Sequence, residues 1–140
     1  MDFEQDKAAI LKLYDLSRQS HLESDAVKFL TPYAQQWYSV RDGTVTQRTK
    51  DAAFPDIERY FQSMHFLQFD DTPPIVEVSK DGSMAWLIGE VQARAIQRQP
   101  DQTEKEVAFR CSWVEIFENQ KAGWAAVVNS SHFVWDADGE

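Results

Sequence analysis

The sequence predicts an α+β domain in which a strongly curved antiparallel sheet is closed into a cone by N-terminal helices. Three observations predict it. The last third holds two long alternating stretches, Glu104 to Glu118 and Gly123 to Trp135, joined by a turn over residues 119–123. A third long stretch, Ser83 to Ile96, precedes them. The helical periodicities all lie upstream. Strands of this length with a core on only one face curl, and helices packed into the curl leave room for a cavity.

Each element has its own signal. Asp2 to about Ser20 reads as a helix, with Asp2 and Gln5 forming a capping box and Ile10, Leu13, Tyr14 and Ser17 at three- and four-residue spacing. A short helix runs from Ser24, a candidate N-cap, to Leu30, and Thr31-Pro32 stops it. Strands Trp37 to Val40 and Val45 to Thr49 flank Asp42-Gly43, a strong hairpin signal. A third helix begins near Pro55 and carries the stripe Ile57, Tyr60, Phe61 and Met64. Residues 70–74 form a loop, Ile75 to Lys80 a strand, and Asp81-Gly82 turns it into the long strands. There are no repeats or interdomain linkers, so residues 1–140 read as one domain.

Composition excludes several classes. A net charge of −9 argues against nucleic acid and against an anionic membrane surface. No apolar run approaches the roughly 18 residues of a spanning helix. The single cysteine, Cys111, leaves no internal disulfide, and the default location is the cytoplasm. There is no Gly-rich phosphate loop, no nucleophile elbow and no ligand-spaced His or Cys set, so no cofactor and no metal is expected.

Certain short motifs add to this. They are the early helix with Tyr14, Asp81-Gly82-Ser83-Met84-Ala85-Trp86, Phe109-Arg110-Cys111-Ser112, and above all residues 123–132, a Gly-Trp followed by an apolar strand ending at His132. With the order helix, helix, hairpin, helix and four strands, the chain resembles the nuclear-transport-factor-2-like (NTF2-like, cystatin-like) superfamily, within it the small SnoaL-like domains. That resemblance implies a cone-shaped fold, a homodimer, and functions from isomerases and dehydratases to oligomerisation modules. Val128 and Ser130 stand where the family pattern has histidines, and His132 where it has serine, so no family site is carried over.

Turns centred near Pro100 and Lys121 put one sheet face as Ala85, Leu87, Gly89, Val91, Ala93, Phe109, Cys111, Trp113, Glu115, Val127, Asn129 and Ser131, and we assign it to the interior. The same register sets Glu90 opposite Arg110 and Arg94 opposite Glu106 as outer charge pairs. The expected ligand-binding walls are Tyr14, Trp37, Tyr60, Met64, Leu87, Val91, Phe109, Trp113 and Asn129, with Gly89 removing volume where the sheet bends inward. Glu115 reads either as a base with a raised pKa or as a rim carboxylate in water. Asn129 reads as a ligand donor or as a partner of the backbone. Of His21, His65 and His132, His65 is the best catalytic candidate, since it stands near the acidic pair Asp70-Asp71. That pair and the tail acids Asp136, Asp138 and Glu140 otherwise read as solvated charge, and Cys111 as a small buried residue.

The outer face would leave Trp86, Ile88, Val114, Ile116, Trp124 and Val128 as an apolar patch that a homodimer buries. The function expected is binding of a small apolar ligand, with cofactor-free isomerisation, dehydration or cyclisation if the domain is an enzyme. The alternative is a non-catalytic oligomerisation or partner-binding module.

Overall fold

A computed structural model describes residues 3–136, so the expected cap Asp2 and the tail acids Asp138 and Glu140 lie outside the described residues; Phe3 stands at the N-cap of the first helix without a side-chain cap. The elements in order are α1 (Glu4–Glu23), α2 (Ala26–Leu30), β1 (Tyr33–Arg41), β2 (Thr44–Thr49), α3 (Lys50–Ser63), β3 (Met64–Asp71), β4 (Ile75–Val78), β5 (Met84–Arg98), β6 (Glu104–Gln120) and β7 (Gly123–Trp135). All seven strands join one sheet, in the order β2-β1-β7-β6-β5-β3, with β4 also on β5. β3 takes the second half of one β5 edge and β4 the first half. The architecture is α+β, as the alternation and helical stripes predict, with the helices against the concave face.

Helix boundaries follow local chemistry. α1 runs three residues past the predicted end, to Glu23, and Ser24, in the left-handed region at φ 57°, closes the helix. Asp25, not Ser24, caps α2, accepting from the Lys28 N–H at 3.1 Å. α3 starts at Lys50 under a Thr49 cap that accepts from Ala52 N–H, so Pro55 stands inside the helix rather than at its start. Pro55 is the sixth residue of the helix, past the first turn, so it leaves the Asp51 carbonyl without its i→i−4 partner. The helix ends at Ser63, and Met64 opens an unpredicted strand, β3.

The face assignment holds along β5, where Ala85, Leu87, Gly89, Val91, Ala93 and Ala95 are buried between exposed neighbours. The register is two residues from the predicted one, because the β5–β6 turn centres on residue 101: Glu90 faces Ser112 and Arg94 faces Ala108. A shift of two preserves the faces. Arg94 still reaches Glu106 diagonally at 2.7 Å, whereas Glu90 takes Thr72 as its partner and Arg110 stays exposed.

Between β6 and β7 the register slips by one, Ile116 pairing with Val128 but Phe117 with Ala126, so Val127 is a bulge. Before the bulge the inward phase is Trp124 and Ala126; after it, Asn129, Ser131 and Phe133. Trp124 therefore does not belong to the outer patch. It packs on the core beneath α1 and donates its indole N–H to Asp6 at 3.2 Å.

Two buried clusters divide the interior. One is closed, with Ile10, Leu87 and Phe117 fully buried and packed with Tyr14, Leu30, Trp37 and Ala126. The other gathers Phe61, Met64, Phe66, Phe69, Val91, Phe109 and Cys111. Trp113 packs against both.

Candidate functional site

A cavity of about 460 Å³ opens between the helices and the concave face. That lies within the usual range of small-molecule sites. α1 contributes Ser17 and His21; α3 contributes Ile57, Tyr60 and Ser63; β3 contributes Met64, Phe66 and Phe69. The sheet supplies Val91 from β5, and Phe109, Cys111, Trp113 and Glu115 from alternate positions of β6. β7 adds Asn129, Ser131, Phe133 and Trp135. β1 closes the far wall with Tyr33, Trp37, Ser39 and Arg41, which share one face of the strand. β1 can stand there because it pairs parallel with β7.

Of the residues expected as walls, Trp37, Tyr60, Met64, Val91, Phe109, Trp113 and Asn129 line this space. Tyr14 and Leu87 do not; both are buried in the first cluster, whose Tyr33 and Trp37 alone among its buried members reach the cavity. Tyr14 stacks on Trp113 with centroids 6.1 Å apart and donates its hydroxyl to Asp71. Asp71 also accepts from Arg18 Nε at 3.1 Å, so it is a structural anchor of α1 on β3 rather than solvated charge. Gly89 is not a bend that leaves the cavity empty. A Cβ there would stand 2.7 Å from Trp113, whose indole already fills the space. His65 faces out of β3, opposite Ile96 and exposed, away from the cavity.

Glu115 is buried at the inner end, not at a wet rim. Its Oε2 accepts from the Tyr33 hydroxyl at 3.0 Å and from Asn129 Nδ2 at 3.1 Å. Ser131 in turn donates to Asn129 Oδ1 at 2.7 Å, fixing the amide. Burial raises the Glu115 pKa, and the two hydrogen bonds oppose that rise without cancelling it. Oε1 has no hydrogen bond among the described residues, and Glu115 lines the cavity.

His21 is the residue that sequence reasoning passed over. The signal was available: Ile10, Tyr14, Ser17 and His21 continue one helical stripe to one residue beyond the predicted end of α1. Its ring lies among Phe29, Tyr60, Phe61, Phe66 and Phe69, at centroid distances from 4.9 to 6.4 Å. Nδ1 stands 2.8 Å from the Ser17 carbonyl, which can only accept, so Nδ1 carries the proton. Nε2 then presents a lone pair, and His21 lines the cavity. Desolvation lowers the His21 pKa to about 4 against a weaker opposing effect of that bond, so the ring is neutral at pH 7.

The remaining groups are less reactive. Burial pushes the Cys111 thiol up to about 11, which keeps it protonated at neutral pH. Burial also raises the Tyr33 and Tyr60 hydroxyls, leaving them as donors. Among the described residues, no three His, Cys, Asp or Glu side chains cluster as a metal site would require.

Solved structures carry the same arrangement of helices and sheet at low sequence identity. A ketosteroid isomerase-like protein from Erwinia carotovora atroseptica matches 94% of this chain and 98% of its own, with TM-score 0.71 at 11% identity. An NTF2-like protein from Rhodospirillum rubrum matches 89% of this chain and 98% of its own, with TM-score 0.65 at 15% identity. The chain has the NTF2-like fold. A third protein with this fold is a hexachlorocyclohexane dehydrochlorinase from Novosphingobium barchaimii, which matches 96% of this chain and 92% of its own, with TM-score 0.70 at 11% identity. No protein-family model and no curated protein matches the sequence. The NTF2-like domain here is thus recognised by its shape, and its chemistry must be read from its own residues. Among the described residues no helix is long and apolar enough to cross a membrane.

Proposed function

We propose that this NTF2-like domain is of the SnoaL-like kind, binds a small, mostly apolar molecule in the cavity and rearranges it by cofactor-free acid–base chemistry of the isomerisation, dehydration or cyclisation type. One observation carries the reading: two proton-handling side chains, Glu115 and His21, line the same aromatic-walled space, and Glu115 Oε1 and His21 Nε2 are left outside the hydrogen bonds that hold them. The neutral imidazole of His21 offers a lone pair that can accept a proton, and the Glu115 carboxyl, whose pKa burial raises, is the second proton-handling group of the site. The ketosteroid isomerase-like and dehydrochlorinase names of two structural neighbours are in keeping with such chemistry. A reducing, cytoplasmic location belongs to the same reading, supported by the lone cysteine.

The outer sheet face supports a homodimer as part of this proposal. Trp86, Ile88 and Val114 are exposed on adjacent strands, with Ile116 and Val128 half-buried beside them and exposed Tyr38 and Ile75 extending the patch. Pairing two such faces about a two-fold axis would cover an apolar area that monomers seldom leave open. The same face would serve the rival reading, a non-catalytic oligomerisation module. Thermal stabilisation against a metabolite panel separates the two. A ligand at 100 times its Kd adds about 2.7 kcal/mol, and Trp113→Ala should abolish that gain. A panel without any stabilising compound favours the module. Sedimentation of wild type as a monomer at micromolar concentration would remove the dimer.

A further inference from the structure

We propose that the ligand of this cavity is an aromatic or alicyclic organic anion whose carboxylate is held at the mouth by Arg41, with its ring system directed inward toward Glu115. This inference rests on the pocket reading above and specifies its substrate class.

The charge distribution is the first observation. The protein carries a net charge of −9, yet among the described residues the charged side chains lining the cavity are Arg41, Arg48 and Glu115, and none is an aspartate. The Glu115 carboxyl has an elevated pKa, so its negative charge is the one most readily lost. An acidic protein has thus gathered cations where its cavity meets solvent.

The second observation is the placement of Arg41. It ends β1 on the wall face, and its guanidinium lies 4.4 Å from the Phe133 ring centroid. Its field is felt by Tyr60 and by Cys111, both of which it lowers from the values burial alone would give. The cation therefore lies close to the Phe133, Tyr60 and Cys111 side chains of the cavity wall. Arg48 is held by Asp56 at 3.0 Å, whereas Arg41 has one ion pair among the described residues, a 3.4 Å contact to its exposed neighbour Asp42. Contacts of that kind are worth little and are readily exchanged for a ligand carboxylate. A guanidinium stacked on a ring leaves its edge N–H groups free, and that edge matches a carboxylate in two parallel hydrogen bonds.

The third observation is the distance between the polar ends. Phe133 is four residues along β7 from Asn129, the partner of Glu115. At about 3.3 Å per residue the ends stand roughly 13 Å apart along the strand. Trp113 stands opposite Ser131 between those ends, and Phe66, Phe69 and Phe109 line the same space, flat surfaces suited to a ring system.

Binding of 2-naphthoate and of its neutral isostere 2-naphthamide, followed by isothermal titration and tryptophan quenching, tests this. The expected result is about tenfold tighter binding of the naphthoate, a preference lost in Arg41→Met and kept in part by Arg41→Lys. Arg41→Met retains the apolar stem over Phe133, and an unchanged melting temperature would show that its fold is intact. Equal binding of the two probes by the wild type, or a preference that survives Arg41→Met, overturns the anion assignment and leaves the pocket reading standing. Binding of neither probe, if the metabolite panel is also silent, removes both.

Discussion

The two ends of the interior are built from the same strands and differ in how they are filled. At one end β5 and β6 send Leu87 and Phe117 into contact with Ile10 of α1, and all three are fully buried. A few residues further along, the same strands offer Val91, Phe109, Cys111 and Trp113, and the facing helices leave about 460 Å³ between them. The hollow end is as apolar as the closed one, so hydrophobicity does not distinguish them. What differs is the polar content: Glu115, Asn129, Ser131 and His21 all lie toward the hollow end. Buried polar atoms that need partners cannot be surrounded by alkyl side chains alone. The cavity is where the fold has spent stability on groups that a simple core would exclude.

The strongest way to break this comparison is a matched pair of truncations. Phe117→Ala should destabilise by about 3–5 kcal/mol, since its neighbours surround it completely, and Phe109→Ala by roughly half as much, since one side of its ring already faces space. Urea unfolding of both variants measures this, and equal losses would mean the two ends are packed alike.

The next effect is electrostatic. His21 titrates at about 4 in the folded protein against an ordinary value of 6.5, so the unfolded chain binds more protons between those values. Stability is full above pH 6.5 and falls as pH drops through 4, by about 3 kcal/mol in all. Glu115 runs the other way: its raised pKa makes the folded state hold its proton longer, so its ionisation erodes stability as pH rises above 4.5. His21→Phe should fit the aromatic surround and remove the acid-side loss while leaving the Glu115 contribution. A variant with the same acid profile as wild type would place His21 in water.

Gly89→Ala probes the boundary between the ends. The added Cβ would meet Trp113 at 2.7 Å, and a rigid indole must move, at a cost of about 1–3 kcal/mol and with a shifted tryptophan emission. Unchanged emission would mean the ring is not seated there. Tyr33→Phe is the smallest change. It removes one hydrogen bond to Glu115, costs about 1 kcal/mol, and should raise the Glu115 pKa further, because that bond lowers it. Carboxyl titration by infrared spectroscopy would show the direction.

The sheet was legible because period-2 alternation survives a register error of two, as Leu87, Val91, Phe109 and Glu115 demonstrate by facing inward as expected. β3 was hidden by its own irregularity. The register slips between Phe66 and Gln68, so the buried positions Met64, Phe66 and Phe69 break the alternation and the last two imitate helical spacing. The parallel pairing of β1 with β7 left no local signature, since it joins segments about ninety residues apart. Arg41 was invisible as a cavity residue for that reason, and His65 drew attention because proximity in sequence to Asp70-Asp71 was taken for proximity in space.

The bulge at Val127 acts on β7 as an edge dislocation acts on a lattice row. One inserted site lets thirteen consecutive residues obey two incompatible phases, the even-numbered Trp124 and Ala126 locked under α1 and the odd-numbered Asn129, Ser131 and Phe133 turned to the cavity. Deleting Val127 would heal the defect and force a choice. Either Trp124 swings out to solvent and α1 loses its anchor at Asp6, or the strand slides and Asn129 leaves Glu115. The chain therefore carries its helix-docking surface and its binding surface on one strand only by keeping a fault between them.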